Sequence, residues 1–517
     1  MFLDAREMPD DAVLEADVVV VGAGAAGIAL ATGLESHGQD VLLLESGGFE
    51  PEAGVQGLYD PLSTGAPYPV PTCRLRYFGG TLNHWGGTCR PLDAFEFESH
   101  DWVPDSGWPL GRAELDPFYE RAAPVLGIPH PRFAFDASER GAQGLSPLLG
   151  GSADFEPVVW RRTQPEATRI GETRRQAIRE SRRIRCVLHA NAREIALGDG
   201  SDAVRELRAR TLTGRGLRAR GRHFVLACGA IENARLLLDS DGQRPAGIGN
   251  GNDLVGRYFA DHGFQLMGWV LISNSPDRWL REERFMRSLP APGLRRDDSG
   301  FASTPAFRRR LRTHGFSMIA GPFDRIDAAG PNAAGVRDLT RGPDGMRVAR
   351  PKTQPGQTPD RATRLLGLLG VVEQSPNRES RISLSRERNA LGARRSAIHH
   401  ALREEDWRSL RESARHFGVA VARAGHGRVR LDEIDPTRWI HGGGGHHSGT
   451  TRMSDDPKRG VTDRNARVHE TANLYVAGSS LFPTAGYAHP TFTIVALALR
   501  LADHLAKRTG SAPAQGA

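Results

Sequence analysis

Two separated sets of residues in this 517-residue chain have the types and spacing to do chemistry. Near the start, Gly22-Ala23-Gly24-Ala25-Ala26-Gly27 follows the apolar run Val18–Val21 and precedes Ile28–Leu34, whose alanine and leucine content suits a helix. Near the end, His446-His447-Ser448-Gly449-Thr450 is followed by His489-Pro490-Thr491. The glycine set has the form of a strand-to-helix turn that cradles a dinucleotide. Gly22 permits the tight turn, Gly24 clears a side chain from the path of a pyrophosphate, and Gly27 lets helix and strand pack closely. Together with Ala25 and Ala26, these residues present helix-terminal amides, where the dipole favours negative charge. A second strand, Val41–Leu44, ends in Glu45, about 20 residues on, the separation expected of a ribose-hydroxyl ligand. The alternative, a tight turn that binds nothing, leaves Glu45 without a role. The histidines suit proton removal near neutral pH, because a neutral imidazole is a base in that range.

The elements that must hold these groups are legible in outline. Residues 17–48 read as strand, helix, strand, the opening of a doubly wound sheet. Trp102, Trp108, Phe118 and Tyr119 mark a helical excursion over Phe95–Leu126, and residues 184–195 and 203–213 alternate as a small meander would. Phe224–Ala230 reads as a buried strand ending in a turn, with a helix over Glu232–Leu238; locally it is equally a plain core strand or a second nucleotide edge. Between about 270 and 360 the chain is rich in Arg, Pro, Gly and Asp, the texture of a long loop inserted in a substrate domain. Residues 368–400 are strand-like. Glu404–Ala424 is spaced as a helix with Trp407, Leu410, Ala414 and Val419 or Ala420 inward. Asn473–Ser479 reads as a strand ending where backbone can approach a ligand, and Ile494–Ala506 as a helix. The tail after Thr509 has a disordered composition.

Composition narrows the class. A length of 517 residues exceeds one ordinary core. The net charge of +7 suggests a polyanion partner, but all of the 68 basic residues except Lys352, Lys458 and Lys507 are arginines, and they are scattered. Runs such as Arg308-Arg309-Arg310 read as solvated faces, and no nucleic-acid motif accompanies them. Cys73, Cys89, Cys186 and Cys228 lack the spacing of a zinc site, a disulfide framework or a haem attachment. His441 and His447 lie near His446, but no carboxylate or cysteine pattern completes a metal site. Met1–Glu15 lacks the basic and apolar regions of a secretory signal, and Val18–Leu30 is too short to span a bilayer, so a soluble, cytoplasmic protein is expected.

The assembled blocks resemble the glucose-methanol-choline (GMC) oxidoreductase family, whose members bind FAD and oxidise alcohols. The blocks are Gly22–Glu45; Gly79-Gly80-Thr81-Leu82-Asn83-His84-Trp85-Gly86-Gly87; Ala227–Leu238 with Val255–His262; and His446 through Asn473–Ser479 to Thr493. Glu373–Ile382 is similar to the branch with pyranose oxidases and the fructose dehydrogenase flavoprotein subunit. The resemblance implies an α/β fold: a Rossmann-like FAD-binding domain with a discontinuous α+β substrate-binding domain on an antiparallel sheet. It divides the chain into FAD-binding parts at 1–95, 181–265 and 441–508, substrate-domain parts at 96–180 and 266–440, and a tail at 509–517.

By the same resemblance, His446 matches the family's active-site histidine. His489 falls at its partner, where this branch more often has Asn. His446 is then the base that takes the hydroxyl proton, and His489 hydrogen-bonds the same oxygen as alkoxide character develops. Gly80, Thr81, Asn83, His84, Trp85 and Gly86 would flank the flavin, with His84 at the position of a covalent link in pyranose oxidases. Gly478 and Ser479 would lie by its ribityl or pyrophosphate part. Pro490 and Thr491 would sit by the ring; the alternative for Pro490 is that it simply shapes the turn before the helix. The expected reaction is oxidation of a CH–OH group of a polyol or sugar-like substrate, whether free sugar, glycoside or aminosugar. Oxygen or a separate electron-carrier protein would be the acceptor. A non-redox lyase that retains FAD and a nucleotide-binding protein without catalysis are the alternatives; the second would have lost the histidine pair.

Overall fold

Val18–Val21 carries no polar side chain on either face, the composition of a strand covered on both sides. The computed structural model describes residues 1–65, 68, 73–129, 133, 149, 151–272, 298–321, 364–425, 427–434 and 445–510, and it buries this run inside a sheet. That sheet is ordered β1 (Phe2–Asp4), β7 (Ile184–Leu188), β3 (Val41–Leu44), β2 (Ala12–Val21), β10 (Gly216–Leu226), β9 (Val204–Arg210), β8 (Asn191–Leu197). Pairing from β1 to β10 is parallel, and β10, β9 and β8 pair antiparallel. Strand β10 is shared lengthwise. Gly216–Ala219 lies beside β9, and Phe224–Leu226 lies beside β18 (Leu474–Val476), which runs parallel to it. The meander expected from 184–195 and 203–213 is therefore β8, β9 and β10. Strand β7 belongs to the parallel half, because Cys186 and Val187 are fully buried there beside β3.

Helices α1 (Ala25–Ser36), α2 (Arg112–Val125), α3 (Gly229–Asp239) and α6 (Thr491–Gly510) contribute to the core of this sheet. Helices α1 and α6 approach closely at Gly33, where an added Cβ would lie 2.9 Å from that of Ala502. Tyr119 of α2 packs its ring at a tilt against Phe492 and shares a 2.8 Å hydrogen bond with Thr493 of α6. The excursion over 96–180 thus divides: α2 sits in the first core, and β6 (Phe155–Arg162) joins a second sheet. The helix there starts at Arg112, because the residues before it form a loop pinned by the Trp108 indole donating to Thr484. Helix α6 begins at Thr491 instead of Ile494, directly after Pro490, whose ring cannot continue a helix ladder.

The second sheet is antiparallel, ordered β17 (Gly427–Leu431), β11 (Gly263–Ile272), β14 (Arg364–Val372), β13 (Phe316–Gly321), β12 (Asp298–Ser303), β6, β5 (Thr88–Cys89). Its core is capped by helix α5 (Glu404–Arg423), whose buried stripe is Trp407, Leu410, Ala414, Phe417 and Val421. Ala420 faces inward and Val419 is exposed, which resolves the two readings of that position. A small third sheet joins β4 (Leu62–Gly65), β16 (Arg394–His400) and β15 (Arg381–Arg388). Within the short helix α4 (Pro305–Leu311), Arg309 and Arg310 of the run expected to be a solvated face are exposed, pairing with Glu98 and Asp154, whereas Arg308 is buried against Glu96. His441, most of the 270–360 stretch and the tail beyond 510 lie outside the described residues.

Candidate active site

Where β2 ends, Gly22 adopts φ +100°, and a Cβ there would lie 2.7 Å from the Ala227 carbonyl just past β10. Gly27 is tighter still, because its Cβ would lie 1.8 Å from the Gly22 carbonyl oxygen, so glycine is what lets α1 rise directly off the strand. An added Cβ at Gly24, by contrast, would meet nothing within 4 Å. Gly24, Ala25 and Ala26 form part of the wall of a 650 Å³ cavity. The starts of α3 (Gly229, Ala230) and α6 (Thr491) lie on the same wall, so the positive ends of three helices converge on it.

Most of the residues expected to hold a cofactor line this cavity: Glu45, Gly80, Thr81, His84, Trp85 and Gly86, then Gly478, Ser479, Pro490 and Thr491. Glu45 is buried, with its carboxylate accepting from the amides of Ala23 at 2.9 Å and Gly47 at 3.0 Å, so it also fixes the glycine turn. The His84 Nε2 lies 2.7 Å from the Tyr77 hydroxyl, and the Trp85 indole donates to Thr168. Gly478 has φ +115° and open space where a side chain would be. Two residues stand off the wall. Gly27 lies under the turn, as its packing role requires. Asn83 is turned inward, donating to the Phe78 carbonyl and accepting from the Gly171 amide.

At one end of the cavity, His446 and His489 meet with ring centres 5.0 Å apart at 67°. Phe264 of β11 lies against both, 5.4 Å from His446 and parallel to His489 at 6.1 Å. Burial lowers His446 well below the ordinary histidine range, with the neighbouring His489, His262 and His447 adding to the effect. Burial likewise takes His489 down to about 3, helped by His262 and Arg162. Both rings are therefore neutral at physiological pH, the state that accepts a proton. His447 lines the same cavity and packs its ring with Tyr68 and Phe259, near His400, its Nε2 3.6 Å from the Cys73 sulfur.

The sequence reading passed over two groups on or beside this wall. Arg74, Arg76 and Arg235 surround Glu232 at 3.2, 3.5 and 2.7 Å, with Arg74 and Arg76 also over the Tyr59 ring. Burial alone would raise Glu232, but Arg235, Arg76 and Arg74 prevail and bring it down to about 2. Arg74 and Arg76 stand just before Gly79-Gly80, and this adjacency was the available signal. The second group is His262, in contact with His446.

A parallel sheet with its glycine turn at a helix terminus, joined to a second antiparallel sheet across a cavity that carries two neutral histidines, defines a dinucleotide-dependent oxidoreductase. The glycine cradle, the converging helix termini and the cavity volume fit FAD. Residues 376–498 match the GMC oxidoreductase family model and residues 17–60 an FAD binding domain. These matches, with the relatives that follow, support an FAD-dependent alcohol oxidoreductase of the GMC type. The chain is similar to paromamine 6'-oxidase of Streptomyces fradiae, at 27% identity over 95% of this chain and 91% of the relative. It is similar also to the fructose dehydrogenase large subunit of Gluconobacter japonicus, at 24% identity over 95% and 97%. Its fold is shared with pyridoxine 4-oxidase from Mesorbium loti, at 17% identity, TM-score 0.58, covering 94% of this chain and 98% of that one. Among the described residues no helix is long and apolar enough to cross a membrane.

Proposed function

We propose that this chain oxidises a CH–OH group of a sugar-like substrate, with an aminosugar-containing glycoside as the first class to test. The observation that carries the reading is the neutral His446–His489 pair facing one cavity with the glycine cradle. The substrate class draws on the full-length likeness to an oxidase named for paromamine and to a fructose dehydrogenase. FAD, when bound, supplies the acceptor for the carbon-bound hydride.

His446 takes the hydroxyl proton. His489 presents its ring to the same oxygen as negative charge grows there, while Phe264 packs along the side of both rings. Glu45, the first turn of α1 and Gly478 line the cavity where they would hold the cofactor's ribose and phosphates, and His84 would lie near its ring.

Anaerobic spectra of the flavin-loaded protein against a panel of sugars, glycosides and aminosugars test this. Bleaching of the flavin bands by one of them supports the reading and names the class. No bleaching by any, with flavin present, defeats it. Oxygen consumption against dye reduction then separates an oxidase from a dehydrogenase with a carrier protein, and colour retained in an acid precipitate would identify a covalent bond at His84. His446→Ala is expected to keep FAD and lose about two orders of magnitude or more in kcat; unchanged turnover removes it from the base role.

A further inference from the structure

We infer that His262 is a positioning residue that dictates which nitrogen of His446 carries the proton, leaving the Nε2 lone pair as the base. The inference rests on the reading of His446 as that base. His262 is 1% exposed at the head of β11. Its Nε2 lies 2.8 Å from the Gly486 carbonyl oxygen, which can only accept, so Nε2 bears a hydrogen. Burial keeps the ring neutral, the nearby Asp261 notwithstanding. Its Nδ1 is then a lone pair. That Nδ1 lies 2.8 Å from Nδ1 of His446, so the hydrogen between them belongs to His446, and Nε2 of His446 is left unprotonated.

The acceptor carbonyl is itself fixed. Glu373 accepts from the amides of Ala485 at 3.1 Å and Gly486 at 2.8 Å. Gly486 has φ +58°, and a Cβ there would fall 2.8 Å from the Glu96 carboxyl carbon. Arg308 binds Glu96 at 2.6 Å and reaches Glu373 at 3.6 Å, both acids being buried. On the other side, Asp261 accepts from the amides of Gly445 and His446, each at 2.9 Å. Adjacent residues immediately before β11 therefore hold the backbone and the side chain of His446. The chain of contacts runs from the second domain's buried ion cluster through a peptide group to the base.

The test uses FAD-loaded protein labelled with 15N-histidine, the His446 signals being assigned by their loss in His446→Ala. The wild type is expected to show the Nδ1–H tautomer at His446. In His262→Phe that tautomer is lost, and kcat falls about 10–100-fold, the range for removing an outer-shell partner, with FAD content and KM held within about twofold. His262→Asn, whose Oδ1 stands where Nδ1 stood, recovers the tautomer and most of kcat. An Nε2–H tautomer in the wild type overturns the inference, as does a His262→Phe protein with unchanged tautomer and turnover. If His262→Phe loses FAD, the wild-type tautomer and the Asn variant decide. Unchanged turnover in His446→Ala would defeat the base reading while leaving the tautomer result standing.

Discussion

Lowering the pH should destabilise this protein through histidines that are buried neutral, and His447 allows one share to be isolated. Its ring lies among Tyr68, Phe259 and His400. Burial, with Arg74 and His400 nearby, takes it down to about 3, and burial takes His400 to about 4. Both values are depressed below the unfolded value of about 6.5, so the unfolded chain binds more protons between the two values. The stabilisation is complete above about 6.5 and is lost as the pH falls through that window. At pH 5 each unfolded imidazole gains about 1.5 pH units of protonation free energy, about 2 kcal/mol, so the pair accounts for about 4 kcal/mol. That is a large share of the roughly 5–15 kcal/mol that holds a typical fold. Urea unfolding at pH 7.5 and 5.0, with FAD in fixed excess, measures the fall. In His447→Phe, which keeps an aromatic ring among aromatic neighbours, the fall should shrink by about 2 kcal/mol relative to wild type. Equal falls in the two proteins would show that His447 titrates normally, refuting the depressed value.

Gly27→Ala places a methyl in the Gly22 carbonyl, so α1 must move off the strand, and FAD affinity is expected to fall about tenfold or more by flavin titration. Glu232→Gln leaves Arg74, Arg76 and Arg235 without their shared carboxylate and should cost on the order of 3 kcal/mol in urea unfolding, the scale of breaking a buried pair. Asn83→Ala should cost about 1–3 kcal/mol by the same measurement with KM unchanged, because its amide serves Gly171 and Phe78 within the fold.

The glycine turn was legible because its demands are local: a tight turn, a free helix end and a close strand contact are all written within Val18–Gly27. The stripe of α5 was legible for the same reason, since its period of 3.6 lies within one element. The partnership of His262 with His446 was not, because it joins residues 184 apart through a register that only the packed sheets establish. Asn83 misled in the opposite direction. It sits in a glycine-rich block beside the cavity, yet the inward turn of its side chain depends on Gly171, a residue from another segment. The strand at 184–188 alternates as a meander would, and only its buried neighbours on β3 reveal that it runs parallel.

The division of β10 between two neighbours sets an order of events at the ribosome. Its first half meets β9 within the same hairpin, but its second half, Phe224–Leu226, waits for Leu474–Val476. Roughly 250 residues separate the two, which at about 5–20 residues per second is some 12–50 s during which a fully apolar strand edge has no partner. The residues of the glycine turn are among the first to be made, and the wall that closes the cavity arrives among the last. Stable cofactor capture is thus a late, whole-chain event, and a nascent chain stalled in between carries an exposed edge of the kind that seeks pairing with other chains.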